Sequence, residues 1–486
     1  EGAVEGQLID LANAQLAVSS EITMVMLFMV PLGVGILLLA TESWLSPLLL
    51  LLSMGIAILL NLGTNIFKSE VSFLTQAVTA VLQLAVSMDY GIFLLHRYEE
   101  YRATDRAPVD AMREAIVKSA SPILASSMTT VFGFLALIFM QFRIGPDLGI
   151  VLAKGVLFSL ICVIFLLPVL ILVFEKWVEK TRHRNFLPDF NPVAKAGAKL
   201  RLPILILVSL MIIPAFRAQQ RNEFIYGNAD YDRTSRESHD RNLIENKFGK
   251  QLSVALLVPK GEWGKEKMLH DELEAYPEVS SIISYESQVS RLIPSEMLDP
   301  KLIEAMLSEN YSRIILTVRS EKEGPRAFDL VERLGKTADK YYEENYLVGE
   351  SVVTYDMRDV VQKDNTIVNG LAILTVGLVV MISFRSLMIP LLLLLTIEAS
   401  IWFNLTVPYL NASPISYIGY LIISTIQLGA TVDPVAAGFD PDGGRHDTPP
   451  VIHPRDCQRI GGSAGTGRQF FVFNGCVLLT GTAGIV

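Results

Sequence analysis

Long apolar stretches separated by short polar ones dominate the chain. Runs with few charges occupy 22–40, 47–63, 71–95, 122–141, 149–174, 202–216, 365–384, 387–405 and 413–433. Runs of about 18 or more such residues are long enough to cross the hydrocarbon core of a bilayer. So many runs cannot all be central helices of one soluble core, and the pattern predicts an α-helical polytopic membrane protein. The polar stretch 218–362 breaks this pattern. Within it, Ser253–Pro259, Ser280–Tyr285 and Arg313–Val318 read as strands, and 265–275 and 325–342 as helices. Strand, helix, strand occurring twice predicts a small α/β domain of split βαβ type.

The apolar part repeats itself. Residues 43–62 read SWLSPLLLLLSMGIAILLNL and residues 386–405 read SLMIPLLLLLTIEASIWFNL. The shift pairs Ser43 with Ser386, Pro47 with Pro390 and Asn61 with Asn404. In the following run LQLAVSMD (82–89) faces IQLGATVD (426–433), so Gln83 meets Gln427, Ser87 meets Thr431 and Asp89 meets Asp433. Leucine runs match by composition alone, but Pro, Asn, Gln and Asp in register do not. Two related halves are therefore expected, an architecture that transporters use with sites near the repeat interface.

Composition agrees with lipid: 51% of residues are hydrophobic and 19% charged, with a mean hydropathy of +0.41. The net charge of −9 is concentrated, because 218–360 holds 19 Lys/Arg against 27 Asp/Glu. An acidic surface argues against a nucleic-acid partner, which requires a basic one. Cys162, Cys457 and Cys476 are the three cysteines, too few for a disulfide framework. Segment 175–201 carries seven Lys/Arg against three acids, and 96–120, two spans earlier, supplies Arg97, Arg102, Arg106, Arg113 and Lys118. Both are expected on the cytoplasmic side, which puts 218–362 outside the cytoplasm. The stretch 98–118 alternates acids and bases and reads as one amphipathic cytoplasmic helix, and 175–184 reads the same way with Trp177 as an interfacial anchor.

Candidate chemistry centres on Asp89 and Tyr90. Asp89 precedes the His96-Arg97 boundary by seven residues, roughly 10 Å of helix. Intramembrane carboxylates are costly and usually face a cavity or a partner, so a proton relay is expected here. The alternative is a carboxylate that only hydrogen-bonds across a helix interface. Tyr90 cannot face Asp89 on one helix, and its partner is sought near Asp433. Ser126, Ser127, Thr129 and Thr130 line the same site or simply pack helices. Glu398 sits mid-span opposite Gly55 in the repeat, so it marks a secondary polar site of the second half or an acid with an unseen partner. Lys154 is expected to snorkel. No Walker, zinc or nucleophile motif is present to suggest an enzyme, a metal or another cofactor, and GGSAGTGR (461–468) lacks the Lys-Ser/Thr of a phosphate loop.

The stretches SMDYGIFLLHRYEEYR (87–102) and SPILASSMTTVFGFLAL (121–137) resemble the MMPL branch of the resistance-nodulation-division (RND) transporters. The resemblance covers about 5–433 and implies two six-helix halves, porter-like external domains and a bacterial inner-membrane location. It further implies proton-driven export of lipids or other hydrophobic compounds, with membrane lipids and protons as partners. Asp89 and Tyr90 match the family's first relay pair and Asp433 the acid of the second, but Pro434 stands where Tyr is expected. On this reading 1–20 ends a first external domain, 21–174 holds helices 2–6 and 175–201 is a cytoplasmic linker. Helix 7 is 202–217, the second external domain 218–362, and helices 8–10 occupy 363–433. The chain is expected to be truncated ahead of Glu1. The Gly/Pro-rich tail 434–486 is expected to be a frameshifted replacement of the genuine continuation. A sterol-sensing-type receptor or a protein-secretion accessory on the same helices is the alternative. No interface for a homo-oligomer is legible, so that state stays open.

Overall fold

The computed structural model describes residues 24–25, 27–68, 70–104, 106–183, 196, 199–227, 236–285, 303–304, 306–384 and 386–430. The tail 434–486, the first twenty residues and Asp433 lie outside this set, as do the expectations placed on them. The described chain divides into two compact units. One comprises Phe224–Lys363 and Ile415–Ile418; the other holds the remaining helices.

Among the described residues, seven helices are long and apolar enough to cross a membrane. The run 22–40 yields a shorter apolar helix, α1 (Leu27–Ala40). Next come α2 (Ser46–Gly63), α3 (Phe73–Arg102) and α4 (Pro108–Leu135), then α5 (Ile144–Ile161), α6 (Leu167–Val173) and α7 (Glu175–Lys180). Burial on α2 is inverted relative to a water-soluble helix: Leu48, Leu52 and Leu59 are exposed while Ser46, Ser53 and Asn61 are buried. Apolar side chains outside and polar ones between helices is what a lipid solvent selects, because polar groups there find partners only in other helices. The α1–α2 turn is tied to α7 by Trp44 N–H donating to Thr181 O (3.2 Å) and His183 N–H to Glu42 O (2.8 Å).

Two local breaks matter. The expected single helix over 98–118 does not form: α3 ends at Arg102 and α4 starts at Pro108. Ala107 is extended (φ −60°, ψ 146°), as the residue before proline is driven to be, so charge alternation spans two helix ends rather than one helix. Between α5 and α6 the chain makes a π turn, Cys162–Leu166, in which Leu167 N–H reaches back to Cys162 O. Pro168, one residue on, has no N–H to continue the α pattern. The Ser53 hydroxyl donates to the same Cys162 carbonyl at 3.3 Å.

The second half of this unit supplies α8 (Arg201–Gln219), which packs on a later helix of 388–410. The other unit begins with β1 (Phe224–Ile225), then α9 (Arg236–Phe248), β2 (Leu252–Pro259), α10 (Trp263–Glu274) and β3 (Val279–Ile283). It continues with β4 (Tyr311–Val318), α11 (Pro325–Tyr341) and β5 (Tyr346–Gly349). Its sheet runs β3-β4-β2-β5, every neighbouring pair antiparallel. Because β4 lies between β2 and β3, each strand–helix–strand unit is split, which is the expected topology. Val254, Leu256 and Val258 alternate inward on β2, as Ile314, Leu316 and Val318 do on β4. They meet Leu269 and Leu273 of α10 and Leu330, Val331, Leu334 and Ala338 of α11, a one-faced helical spacing. Outside the core, Arg333 donates to Glu278 at 2.7 Å and holds that carboxyl below its usual range. Leu316→Ala should destabilise this domain by about 2–5 kcal/mol. Hydrogen exchange on the intact protein would register it as faster exchange confined to β2–β5, α10 and α11; unchanged exchange there would place the core elsewhere.

The remaining helices are α12 (Glu350–Phe384), α13 (Met388–Leu410) and α14 (Tyr417–Ala430), with β6 (Ile415–Ser416) pairing in parallel with β1. The run 413–433 is thus a short strand followed by a helix described to Ala430.

Candidate functional site

α3 is apolar but carries Gln83, Ser87, Asp89 and Tyr90 in under three turns. Its neighbours α2, α4 and α5 fix which of these are covered. Gly91 lets α2 and α6 approach: a Cβ there would sit 2.8 Å from Leu50 Cδ1 and 3.5 Å from Leu167 Cδ2. Beside that contact Tyr90 is 2% exposed, and its hydroxyl lies 3.2 Å from Thr130 Oγ1 on α4. Thr130 in turn donates to Ser126 O at 3.3 Å. The Tyr90 and Thr130 hydroxyls thus share one hydrogen bond, which either can donate.

Asp89 is exposed on the same helix. Adjacent helical residues point about 100° apart, so a buried Tyr90 and an exposed Asp89 are the expected pair of orientations. Ser127 and Thr129 are buried and turn to their own helix, donating to Leu124 O (3.1 Å) and Ser126 O (2.6 Å). Of the four hydroxyl residues singled out on α4, Thr130 therefore reaches Tyr90, and Ser127 and Thr129 satisfy local carbonyls. Within the first half Tyr90 thus meets Thr130; the partner sought near Asp433 falls outside the described residues.

Sequence reasoning missed a neighbouring polar network. Asn61 Nδ2 donates to Gln83 Oε1 (2.8 Å) and to Val151 O (3.2 Å). Gln83 Nε2 donates to Gly155 O (3.0 Å) and Ser159 Oγ (3.1 Å). In the second half Gln427 Nε2 donates to Ser400 Oγ at 2.6 Å. In each half the repeat's glutamine thus bonds a polar side chain of the preceding span. The signal was in the sequence, because Asn61 and Gln83 are both in register with their counterparts. Lys154 does not snorkel freely: its Nζ donates to Asn61 O (3.1 Å) and Asn65 Oδ1 (2.7 Å) beyond the end of α2.

Glu398 lies in a different place. It lines a cavity of about 180 Å³ formed by α8, α12, α13 and α14, with Phe216, Asn369, Trp402, Tyr420 and Ser424. The Phe216 and Trp402 rings are 4.9 Å apart at 61°. Tyr420 OH accepts from Asn365 Nδ2 (3.3 Å) and Asn369 Nδ2 (3.4 Å).

Lipid-facing leucines, polar side chains buried between helices, an internal repeat and a split βαβ domain define a polytopic membrane protein of the RND type. The chain belongs to the MMPL family, whose family model matches residues 3–191 and 246–433. It is similar to the putative membrane protein ActII-3 of Streptomyces coelicolor, 24% identical over 415 residues, 81% of this chain and 54% of that protein. It is also similar to the apo-petrobactin exporter of Bacillus anthracis, 23% identical over 354 residues, 67% of this chain and 46% of that protein. A shorter match, 40% identical over 98 residues, is to the putative membrane protein MJ1562 of Methanocaldococcus jannaschii, covering 20% of this chain and 25% of that one. The fold resembles that of SecDF, a translocon-associated membrane protein of Thermus thermophilus, with a TM-score of 0.52 and 13% identity over 96% of this chain and 55% of that one. The chain spans about half the length of the curated relatives that it matches over most of its own length.

Proposed function

We propose that this chain is part of an exporter of lipids or other hydrophobic or amphiphilic compounds, driven by the proton-motive force. Asp89 is the proton-exchanging group, Tyr90 its neighbour in the relay and Asp433 the acid of the second half. One observation carries the reading: Asp89 projects from α3 beside the buried Tyr90, with Val86 and Ile92 one turn away on its own face packed. A charged carboxylate in a span costs about 2.5–3.5 kcal/mol even on the lenient scale. In the membrane such a group therefore belongs to a face that water or protein covers, where it can exchange a proton. The Tyr90–Thr130 bond keeps a hydroxyl one residue away from that carboxylate. Membership of the MMPL family and the likeness to an exporter support transport as the task. In this reading 218–362 is extracytoplasmic and 175–201 cytoplasmic.

The test is export read as uptake of a fluorescent amphiphile into inside-out vesicles carrying the full-length protein, with the proton gradient imposed or collapsed by a protonophore. Transport should stop on collapse and resume when the gradient is restored. Uptake indifferent to the gradient would overturn the coupling. Binding without any uptake would favour the receptor alternative, and a general defect in protein export the secretion accessory.

A further inference from the structure

We infer that the Glu398 cavity is a binding site for the ammonium head of a cationic amphiphile, with Glu398 as counter-ion and Trp402, Phe216 and Tyr420 as aromatic walls. The inference rests on the exporter reading only for its physiological sense, since binding is a property of the site itself.

The lining contains one acid and no Lys, Arg or His. Among the described residues Glu398 has neither an ion pair nor a hydrogen bond. A carboxylate placed between apolar helices without a protein cation is costly, and a ligand cation would supply the missing charge. The walls fit that ligand. Trp402 and Phe216 meet edge to face, so their ring faces point in different directions around the cavity. Aromatic faces attract ammonium groups, Trp most strongly, and a cage of rings with an acid is the usual solution for quaternary amines. Asn365 and Asn369 both donate to Tyr420 OH, and Asn369 also donates to Asn365 Oδ1 at 2.9 Å. Those bonds fix the third ring without using a cation.

Size narrows the ligand further. The cavity of about 180 Å³ is below the roughly 300 Å³ at which drug-sized sites begin. At roughly 30 Å³ per water it matches about six waters, enough for a small alkylammonium head but not for a lipid tail. Leu391, Leu392 and Leu395 on the same helix as Glu398 are exposed, as expected of a surface that meets lipid chains. An amphiphile whose head enters and whose tail stays in the bilayer satisfies both. Gly55 stands opposite Glu398 in the repeat, so the first half has no equivalent acid and the site belongs to the second half alone.

The experiment uses the full-length protein in lipid nanodiscs with Trp44, Trp177 and Trp263 replaced by Phe, leaving Trp402 as this region's sole indole. Dodecyltrimethylammonium is titrated while Trp402 emission is followed, with 1-dodecanol as the neutral probe. The cation should give a saturable change that dodecanol does not. Glu398→Gln should weaken it about tenfold, the loss of one charge-assisted contact, and Glu398→Asp should restore part of it. Equal affinity in Glu398→Gln would overturn the assignment. Should Glu398→Gln not fold, the unsubstituted site still decides: dodecanol binding as tightly as the cation would also overturn it. No proton gradient is applied, so failure here leaves the exporter reading standing, and the reverse.

Discussion

Asp89→Asn is expected to abolish proton-driven flux while leaving the protein folded and inserted. The two side chains have the same shape, and Asp89 has no side-chain partner among the described residues, so the substitution breaks no observed contact. It also removes the energetic burden of a charge in a span, which makes insertion at least as favourable as before. What Asn cannot do is bind and release a proton in the physiological range. Flux in reconstituted vesicles, read with an internal pH dye, should fall to the level seen with a protonophore. Size-exclusion profiles of the variant should match the parent. Undiminished flux would reduce Asp89 to a packing residue and move the search to Glu398 and Asp433.

Gly155 carries the second large effect. A Cβ there would lie 2.6 Å from Asn61 Nδ2 and 2.9 Å from Gln83 Oε1, inside any tolerable contact. Those two atoms are bonded to each other, and Gln83 is held on α5 by Gly155 O and Ser159 Oγ. Neither can retreat without leaving a polar group unmatched in an apolar bundle, a cost of about 1–3 kcal/mol per group. Overpacking adds about 1–3 kcal/mol of its own. Gly155→Ala should therefore lower the thermal midpoint of the detergent-purified protein by several degrees, and Gly155→Leu should not be recovered as a monodisperse species. Gly55→Ala is the control, because nothing lies within 4 Å of a Cβ at that position. Equal stability of Gly155→Ala and Gly55→Ala would mean that the α2, α3 and α5 contact is looser than described.

Legibility in the sequence followed the length scale of each feature. Spans were readable because a bilayer demands a run whose composition alone identifies it, as on α2 and α5. The split βαβ domain was readable from the alternation on β2 and β4 and the one-faced spacing of α11. The break at Pro108 is also written locally, because the restriction that proline places on Ala107 outweighs the charge alternation over 98–118. Contacts between spans were not readable. That Tyr90 meets Thr130 is decided by the rotation of α3 against α4, and apolar sequence leaves that rotation unspecified. The repeat singled out Asn61 and Gln83 without showing that they bond each other. The aromatic cavity was invisible for a similar reason: Phe216, Asn369, Trp402 and Tyr420 come from four helices, and each alone is an ordinary membrane residue.

The π turn at Cys162–Leu166 changes how residues should be counted along its span. On an uninterrupted helix Leu167 would lie about 120° around the axis from Gly155, twelve residues earlier. Absorbing one extra residue reduces the offset to about 20°. That brings Leu167 to the side of the span where Gly155 faces Gln83, and Leu167 indeed meets Gly91 of the same α3. Family comparisons that slide this span against one without the turn need a one-residue gap near Cys162. Without that gap, every position from Leu167 onward would be matched to the wrong face.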